Sequence, residues 1–307
     1  MEGPLSGRVA LVAGATRGAG RALAVELARS GAFVYATGRS SRTTGRSEID
    51  RPETIEDTHD LMVRAGGRGT AVRVDHTDPD QVHRLLERIR DEQGRLDVLV
   101  NDVFGGDRYA QFHAPLWEHD LAGGLRMLRM GIDTHVITSA LALPLLLESG
   151  AGLLVEMTDG PREVNTQYRP GVGFFYDFVK GSIDRFITSL TAELSDLPVT
   201  VVGVTPGWLR SEQMLENFDV TESTWTQAAE RIPGFGASET PTYVARGVAA
   251  LAGDGDAARH HGAVLTARDL ADAYGVTDVD GSRPDCWGLI RDLGWEEQPL
   301  GVLDAYR

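Results

Sequence analysis

The sequence is poor in three features that define other classes of protein: cysteine, excess basic charge and long apolar runs. A single cysteine, Cys286, excludes an internal disulfide framework and fits a reducing cytoplasm. The formal net charge of −15 argues against a nucleic-acid or anionic-membrane partner. The longest apolar run, ALALPLLL, is too short to span a bilayer, and the first residues carry no export-signal pattern. We therefore expect a cytoplasmic protein that binds neither nucleic acid nor membrane.

The 307 residues contain no linker rich in Gly, Ser or Pro, no internal repeat and no low-complexity tract. This length suits one large domain, so we expect a single domain over residues 1–307. The eight histidines form no ligand pattern, and no metal site is predicted.

Short apolar runs alternate with amphipathic helical segments along the chain. The runs lack polar alternation, as is typical of parallel strands buried on both faces. Helical segments between them have clear start signals, such as Asp78 as cap with Pro79 and Gln81 after it. The pattern predicts an α/β fold: a doubly wound, Rossmann-like parallel sheet with helices on both faces. The predicted strands are 8–14, 32–38, 70–75, 96–101, 152–157, 199–204 and 263–267.

A glycine-rich segment, AGATRGAG, follows the first predicted strand. Glycines at positions 14, 18 and 20 permit a tight turn and close approach of backbone to a dinucleotide pyrophosphate. The next helix would point its N-terminal amides at that anion. A structural turn would also recruit glycine, so this motif is weak evidence by itself.

The spacing G-x3-G-x-G resembles the TGxxxGxG motif of the short-chain dehydrogenase/reductase family, with Ala13 in place of Thr. YDFVK resembles the family's YxxxK, and TPGWLRS its PG motif. The resemblance spans residues from about 5 to about 270, which leaves a C-terminal extension. NDVFGG, TPGWLRSE and the tail LTARDLADAYGVTDVDG are similar to the branch that includes dehydrogenase/reductase family member 1.

The resemblance implies a nicotinamide dinucleotide cofactor. An Arg at the end of the second strand accommodates a 2′-phosphate, whereas an acidic residue there selects NAD. This chain has Arg39 at that end and Arg17 in the glycine loop, so we expect NADP(H). Either arginine could instead be a solvated surface charge. The implied cofactor-binding residues are Gly14, Thr16, Arg17, Gly18, Ala19, Gly20, Arg39, Asp75, His76, Asn101, Lys180, Pro206, Gly207, Leu209 and Ser211.

Tyr176 and Lys180 lie four positions apart, on one face of a predicted helix. A Lys ammonium one turn away, together with an oxidised nicotinamide, favours a tyrosine phenolate, so Tyr176 can move a proton while the cofactor moves hydride. Lys180 would also hold the nicotinamide ribose. A core tyrosine beside a surface lysine is the structural alternative.

The resemblance places the family's catalytic Ser at Asp159, just after Thr158, and its active-site Asn at Gly131. Two of the usual four catalytic groups are therefore absent. An ionised Asp only accepts hydrogen bonds. Asp159 must be protonated, be replaced in its role by Thr158, bind a substrate hydroxyl or amine, or simply cap its loop. The segment between Asp159 and Tyr176 is longer than in most relatives.

The predicted function is NADP(H)-dependent interconversion of a carbonyl and an alcohol on a small or medium-sized molecule. Asp159 with Tyr176 could instead perform non-redox chemistry as an isomerase, dehydratase or C–C lyase, and a cofactor-binding protein without turnover is a third possibility. The resemblance also implies a homodimer or homotetramer. Candidates for an aromatic substrate pocket are Phe104, Tyr168, Phe174 and Trp208.

Overall fold

A computed structural model describes residues 3–294 and 305–307. Its centre is a seven-stranded sheet in the order β3-β2-β1-β4-β5-β6-β7, with every neighbouring pair parallel. The predicted α/β, doubly wound fold is therefore confirmed, and each of the seven predicted strands forms. The strands are β1 Val9–Ala13, β2 Phe33–Gly38, β3 Arg68–Arg73, β4 Val98–Asn101, β5 Gly152–Met157, β6 Val199–Thr205 and β7 Val264–Thr266.

Helices cover both faces of this sheet. Short 3-10 turns occur at Asp107–Tyr109, Leu116–Glu118, Pro170–Val172, Pro233–Ala237 and Ala257–His260. Within the described residues the α-helices are α1 Gly18–Arg29, α2 Ile55–Arg64, α3 Pro79–Gln93, α4 Leu121–Leu128, α5 Thr134–Glu148, α6 Arg162–Asn165, α7 Phe174–Glu193, α8 Glu212–Asn217, α9 Thr226–Arg231, α10 Pro241–Gly253, α11 Ala267–Tyr274 and α12 Cys286–Leu293.

The core has one apolar layer on each side of the sheet. One layer packs α1, α10 and α11 against the strands, and the other packs α3, α5 and α7. β1, β4 and β5 are wholly buried, as their unbroken apolar sequences predict. β3 differs from the expectation of burial on both faces: it is the edge strand, and its residues are half-buried or exposed.

The segment Leu121–Glu148 is the most apolar helical stretch, built from α4, a π-helical turn at Arg129–Asp133 and α5. Its 28 residues and its mean hydropathy of 1.5 would by length and composition alone allow it to cross a membrane. The 18-residue part of this segment that has this hydropathy is half buried in the protein, where α5 packs against α3, β4 and β5. A core helix of a globular domain has the same properties.

Strand order reverses between β1 and β4, and the glycine loop lies at that point. Gly14 has φ +89°, and a Cβ there would lie 2.4 Å from the backbone oxygen of Asp102. A Cβ on Gly20 would lie 2.3 Å from the Gly14 oxygen. These contacts bring the start of α1 close to the carboxyl ends of both strands, which is where ligands bind in such sheets.

Because the atoms around Gly20 are mostly backbone, a side chain there cannot be accommodated by rotamer changes. Gly20→Ala should lower the free energy of unfolding by about 1–3 kcal/mol, the usual effect of overpacking. Gly255→Ala is the matched control, since nothing lies within 4 Å of a Cβ at that exposed turn. Denaturant unfolding measures both variants. A loss for Gly20→Ala within the roughly 0.5 kcal/mol range of surface substitutions would contradict the packing argument.

Candidate active site

A cavity of about 1010 Å³ opens at the carboxyl edge of the sheet. The segments after β1, β2, β4, β5 and β6 form its walls, together with α7 and α12. It brings together the predicted catalytic residues Thr158, Asp159, Tyr176 and Lys180. Its walls also include the predicted residues Gly14, Thr16, Arg17, Gly18, Ala19, Arg39, Asp75, His76, Phe104, Pro206, Gly207, Trp208, Leu209 and Ser211.

Four predicted site residues lie outside this cavity lining. Gly20 is at the helix–strand contact described above. Asn101 is fully buried, and its Nδ2 donates to Ser139 Oγ at 2.8 Å and to a Glu156 oxygen at 2.9 Å. Tyr168 is 55% exposed, and Phe174 packs on neighbouring rings of α7. The prediction of an aromatic pocket therefore holds geometrically only for Phe104 and Trp208, because the long loop before α7 turns Tyr168 outward.

Two arginines line the part of the cavity beside the glycine loop. Arg17 forms no ion pair within the described residues, and burial lowers its pKa below the usual value. Arg39 Nη1 instead pairs with Glu48 at 2.9 Å, and Glu48 also binds Arg126 at 2.7 Å. Burial would raise the pKa of Glu48, but these hydrogen bonds outweigh it and hold that pKa low. Arg17 is thus more available than Arg39 to bind an anionic ligand, because Arg39 is already paired with Glu48.

The Asp75–His76 pair lies at the cavity wall after β3. Asp75 is held by its own turn, since its carboxylate accepts from the Thr77 amide at 2.9 Å. His76 lies almost wholly in the interior, between the hydroxyls of Thr37 at 2.8 Å and Thr138 at 2.7 Å. Burial lowers the pKa of His76 to about 4, so its ring is neutral and serves as a structural link.

Tyr176 and Lys180 occupy successive turns of α7 and both face the cavity. The Lys180 ammonium lies 3.9 Å from the centre of the Phe104 ring and 5.5 Å from that of Tyr176. Phe104 in turn meets Tyr176 edge to face at 5.6 Å. The lysine charge is therefore held over aromatic faces at cation–π distance.

Protein groups other than Lys180 dominate the pKa of the Tyr176 hydroxyl. Burial raises the pKa of Tyr176 well above its ordinary value, and the facing carboxylate of Asp159 raises it further. The positive charge of Arg169 acts in the opposite direction and is outweighed. Tyr176 is consequently protonated at neutral pH, which makes it a proton donor in this arrangement.

Asp159 belongs to a charged cluster that the sequence did not indicate. Arg169 Nη1 donates to the Asp159 backbone oxygen at 3.2 Å and lies 3.6 Å from its carboxylate. Arg169 Nε binds Asp177 at 2.9 Å. The Nη2 atom of the same guanidinium is buried without a hydrogen-bond partner in the described part of the chain. Asp159 therefore serves as an acceptor between Arg169 and Tyr176, not as the donor that Ser supplies in the family.

The other altered position, Gly131, is closed by packing, and the neighbouring Thr158 is held by hydrogen bonds. A Cβ on Gly131 would lie 2.3 Å from Val179 Cγ1, so the larger side chain of Asn does not fit at this position. The Thr158 hydroxyl donates to the Lys180 backbone oxygen at 3.4 Å and accepts from Asn165 at 3.3 Å. Thr158 is thereby tied to α7, and this contact argues against the possibility that it replaces Ser as a substrate donor.

Sequence reasoning missed a buried network behind the cavity. Glu156 is fully buried on β5 and binds Ser139, Asn101 and His135, the last at 2.5 Å. The other nitrogen of His135 lies 3.1 Å from the Val103 oxygen. Because the Val103 backbone oxygen can only accept, Nε2 of His135 donates to it, and Nδ1 shares a hydrogen bond with Glu156. A single Glu within an apolar run was the only available signal.

Sequence reasoning also missed Asp102 and the helix α12 as parts of the cavity wall. Asp102 follows Asn101 at the end of β4, and burial raises its pKa to about 6 against the opposing charge of Lys180 and the Gly20 amide. The helix α12 supplies an apolar wall through Trp287 and Ile290, and Trp287 Nε1 donates to the Pro206 oxygen at 2.8 Å. The C-terminal extension thus belongs to the cavity. No group of three His, Cys, Asp or Glu arranged for a metal occurs in residues 3–294 and 305–307.

This arrangement offers a glycine loop and cations at one end, a protonated tyrosine in the middle and an apolar chamber at the other. It suits a long ligand with an anionic end and a reactive group near Tyr176.

Comparison with known proteins identifies the group to which this site is similar. The model of the family described as short chain dehydrogenase matches residues 8–222. Dehydrogenase/reductase SDR family member 1 of Mus musculus is 31% identical over 310 residues, with 96% of this chain and 93% of the mouse protein covered. The protein of that name in Homo sapiens is 29% identical, with coverages of 100% and 94%.

Solved structures show the same fold. A protein of Shigella flexneri described as a short chain dehydrogenase complexed with NADP superimposes with TM-score 0.69 at 22% identity, covering 87% of this chain and 100% of its own. A 7α-hydroxysteroid dehydrogenase complexed with NADH and 7-oxo glycochenodeoxycholic acid gives TM-score 0.68 at 19% identity, with coverages of 91% and 96%.

Asp102 should make stability depend on pH. Its folded-state pKa of about 6 exceeds the ordinary 3.8, so the folded protein holds this proton more tightly than the unfolded chain. The stabilisation is complete at low pH and is lost as pH rises through the folded pKa. Asp102→Asn should match wild type in stability near pH 4. Near pH 7.5 the variant should be more stable by about 1–3 kcal/mol, a range that allows for the partial exposure of Asp102 to the cavity.

Denaturant unfolding of both proteins at the two pH values measures this difference. Asp196→Asn, on an exposed turn, controls for the loss of one negative charge. A gain for Asp102→Asn that is the same at both pH values would contradict the raised pKa.

Proposed function

The chain belongs to the short-chain dehydrogenase/reductase family, as its motifs indicated, and on that premise we propose that it is an NADP(H)-dependent reductase of small or medium-sized carbonyl compounds. That it is an oxidoreductase of this family follows from the match of the family model and from relatives similar over nearly its whole length. The cofactor, the direction and the substrate are proposals. The observation that carries them is the protonated Tyr176, which lies beside Lys180 in a cavity that starts at the glycine loop.

The residues present fit a nicotinamide dinucleotide phosphate. Gly14 and Gly20 leave no room for side chains where backbone must approach a pyrophosphate, and Gly18 starts α1. Arg17 provides a half-buried cation without an ion-pair partner in the described residues, which suits a 2′-phosphate. The volume of about 1010 Å³ is at the upper end of the roughly 300–1,000 Å³ of ligand pockets. Support also comes from the Shigella flexneri protein of the same fold, which is complexed with NADP.

When bound, such a cofactor supplies the hydride for reduction. Tyr176 donates its hydroxyl proton to the substrate carbonyl oxygen, and its raised pKa keeps that proton available until the oxygen becomes basic. Lys180, held over Phe104, stabilises the phenolate that forms.

A second donor is needed because the Ser of the family is absent and Asp159 only accepts. The Arg169 Nη2 atom can replace the missing hydroxyl as a hydrogen-bond donor. It is buried without a partner in the described residues, it belongs to a residue of the cavity wall, and the charge of Arg169 acts on Tyr176. We include it in the proposal as the group that, after a small shift, holds the substrate oxygen together with Tyr176. Asp159 and Asp177 fix its guanidinium from two sides.

A second candidate function is favoured by one observation, the carboxylate of Asp159 beside Tyr176. A carboxylate in that position could remove a proton from an acidic C–H, as an isomerase, dehydratase or lyase requires. Product formation without any NADPH oxidation would identify that chemistry.

The remaining expectations are part of the same proposal. The chain would act in the cytoplasm as one catalytic domain on a small-molecule substrate, without nucleic-acid or membrane partners. Leu121 and Leu125 of α4 and Phe178 of α7 are about half exposed, and we propose that a second copy of the chain covers this surface in a homodimer or homotetramer.

Cofactor preference tests the cation assignment. Wild type should bind NADPH about 10- to 100-fold more tightly than NADH, the effect of one or two charge-assisted hydrogen bonds to the 2′-phosphate. Arg17→Met should weaken NADPH binding and leave NADH binding almost unchanged, and Arg39→Asp should reverse the preference. Arg42→Met is the matched control, because Arg42 pairs with Asp57 and lies outside the cavity lining. Calorimetric titration measures all four proteins, and equal binding of both cofactors by wild type would contradict the assignment.

Tyr176→Phe tests the proton donor. This change removes the hydroxyl and keeps the ring against Phe104, so NADPH binding should be retained. Reduction of a panel of ketones and aldehydes, followed by NADPH absorbance, should fall by about 100-fold or more, the usual contribution of a positioned acid. Tyr109→Phe removes a hydroxyl near the site but outside the cavity lining, and should keep wild-type turnover. Turnover by Tyr176→Phe within a few-fold of wild type would show that another group supplies the proton.

A further inference from the structure

Glu212 is the first residue of α8, and its carboxylate lies against the first turn of α1. Its Oε2 accepts the backbone N–H of Gly18 at 2.9 Å, and its Oε1 binds Arg21 Nη1 at 3.1 Å. Gly18 is the first residue of α1, and the preceding Arg17 provides no side-chain cap. A residue 194 positions away in sequence therefore takes the role that a capping side chain usually has.

The same N–H group is central to the proposed function. A helix N-terminus binds anions through its free amides and the positive end of its dipole. A pyrophosphate at the glycine loop and the Glu212 carboxylate would both need the Gly18 amide, and their charges repel each other. Glu212 lies between Ser211 and Gln213, two residues of the cavity wall, so this carboxylate stands at the edge of the cofactor site.

We propose that Glu212 is an internal competitor of the cofactor pyrophosphate, and that dinucleotide binding requires its carboxylate to leave Gly18. This inference rests on the proposed function, which supplies the competing anion. It follows that Glu212 weakens cofactor affinity and stabilises the protein in the absence of cofactor.

The surroundings of Glu212 allow this exchange. Its side chain is 33% exposed, so the carboxylate can turn towards solvent. Arg21 keeps other partners when Glu212 leaves, because its Nη2 donates to the Thr16 oxygen at 2.6 Å and its Nε to the Thr58 hydroxyl at 3.3 Å. Arg21 then presents a positive charge to the loop in place of a neutralised ion pair.

Two substitutions separate the charge of Glu212 from its hydrogen bond. Glu212→Gln retains an oxygen that can accept the Gly18 N–H but has no charge, and Glu212→Ala removes both. Both variants should bind NADPH about tenfold more tightly than wild type, the scale of one charge-assisted hydrogen bond. Both should also have a lower melting temperature without cofactor. A purely structural Glu212 predicts the lower melting temperature with unchanged or weaker binding, which would overturn the competition.

Glu216→Gln is the matched control on the same helix, because Glu216 binds Arg51 and makes no contact with the glycine loop. An equal gain in NADPH affinity for Glu216→Gln would assign the effect to loosening of α8 or to net charge and overturn the proposal. Adenosine 2′-monophosphate, which lacks the pyrophosphate, should bind wild type and Glu212→Gln equally, and a tenfold gain for this ligand too would likewise overturn it.

The proposed function and the competition fail in distinguishable ways. If wild type binds NADPH and the Glu212 variants bind it no better, the competition alone is overturned. If neither wild type nor any variant binds NADPH, the proposed cofactor is overturned, and the inference with it.

Discussion

The chemistry of this site depends on one constraint: the Tyr176 hydroxyl lies in a buried position opposite a carboxylate. Burial and Asp159 both raise its pKa, and the neighbouring cations do not compensate. The cluster around Arg169 maintains that arrangement, because the guanidinium binds Asp159 and also Asp177, which is on the same helix as Tyr176. The site therefore stores a proton on the tyrosine. A protonated tyrosine is the state that the proposed reduction requires.

Negative charge also surrounds the phosphate end of the cavity. Asp102 lies against Gly20, and Glu212 accepts the amide of Gly18. On the proposals above, each carboxylate would disfavour a bound dinucleotide. Protonation of Asp102, whose pKa is near 6, and rotation of the Glu212 side chain towards solvent would each relieve that repulsion. Arg17 opposes them. Cofactor affinity in this chain is thus a balance among nearby charges, beyond the geometry of the glycine loop.

The sequence was sufficient for the features that depend on local patterns. Apolar runs predicted all seven strands, and helix spacing placed Tyr176 and Lys180 together. The basic residues also indicate a special role for Lys180, because it is the only lysine among the 30 lysines and arginines of the sequence. An arginine would not offer the same compact ammonium there. Contacts between distant segments were not predictable. The contact between Glu212 and Gly18 joins residues 194 positions apart, and no periodic pattern in the sequence indicates it. The burial of Arg169 by its turn is likewise not indicated by any such pattern. Asn101 matched a motif but proved to bind Ser139 and Glu156.

The central claim is that Tyr176 protonates a carbonyl oxygen that receives hydride from NADPH. The most direct measurement is incubation of the protein and a panel of ketones and aldehydes with NADPH deuterated at both C4 positions of the nicotinamide, followed by mass spectrometry of the products. The account predicts one carbon-bound deuterium per alcohol formed by wild type, and almost no alcohol from Tyr176→Phe. Products that form without deuterium would contradict it and identify Asp159 and Tyr176 as groups of a non-redox site.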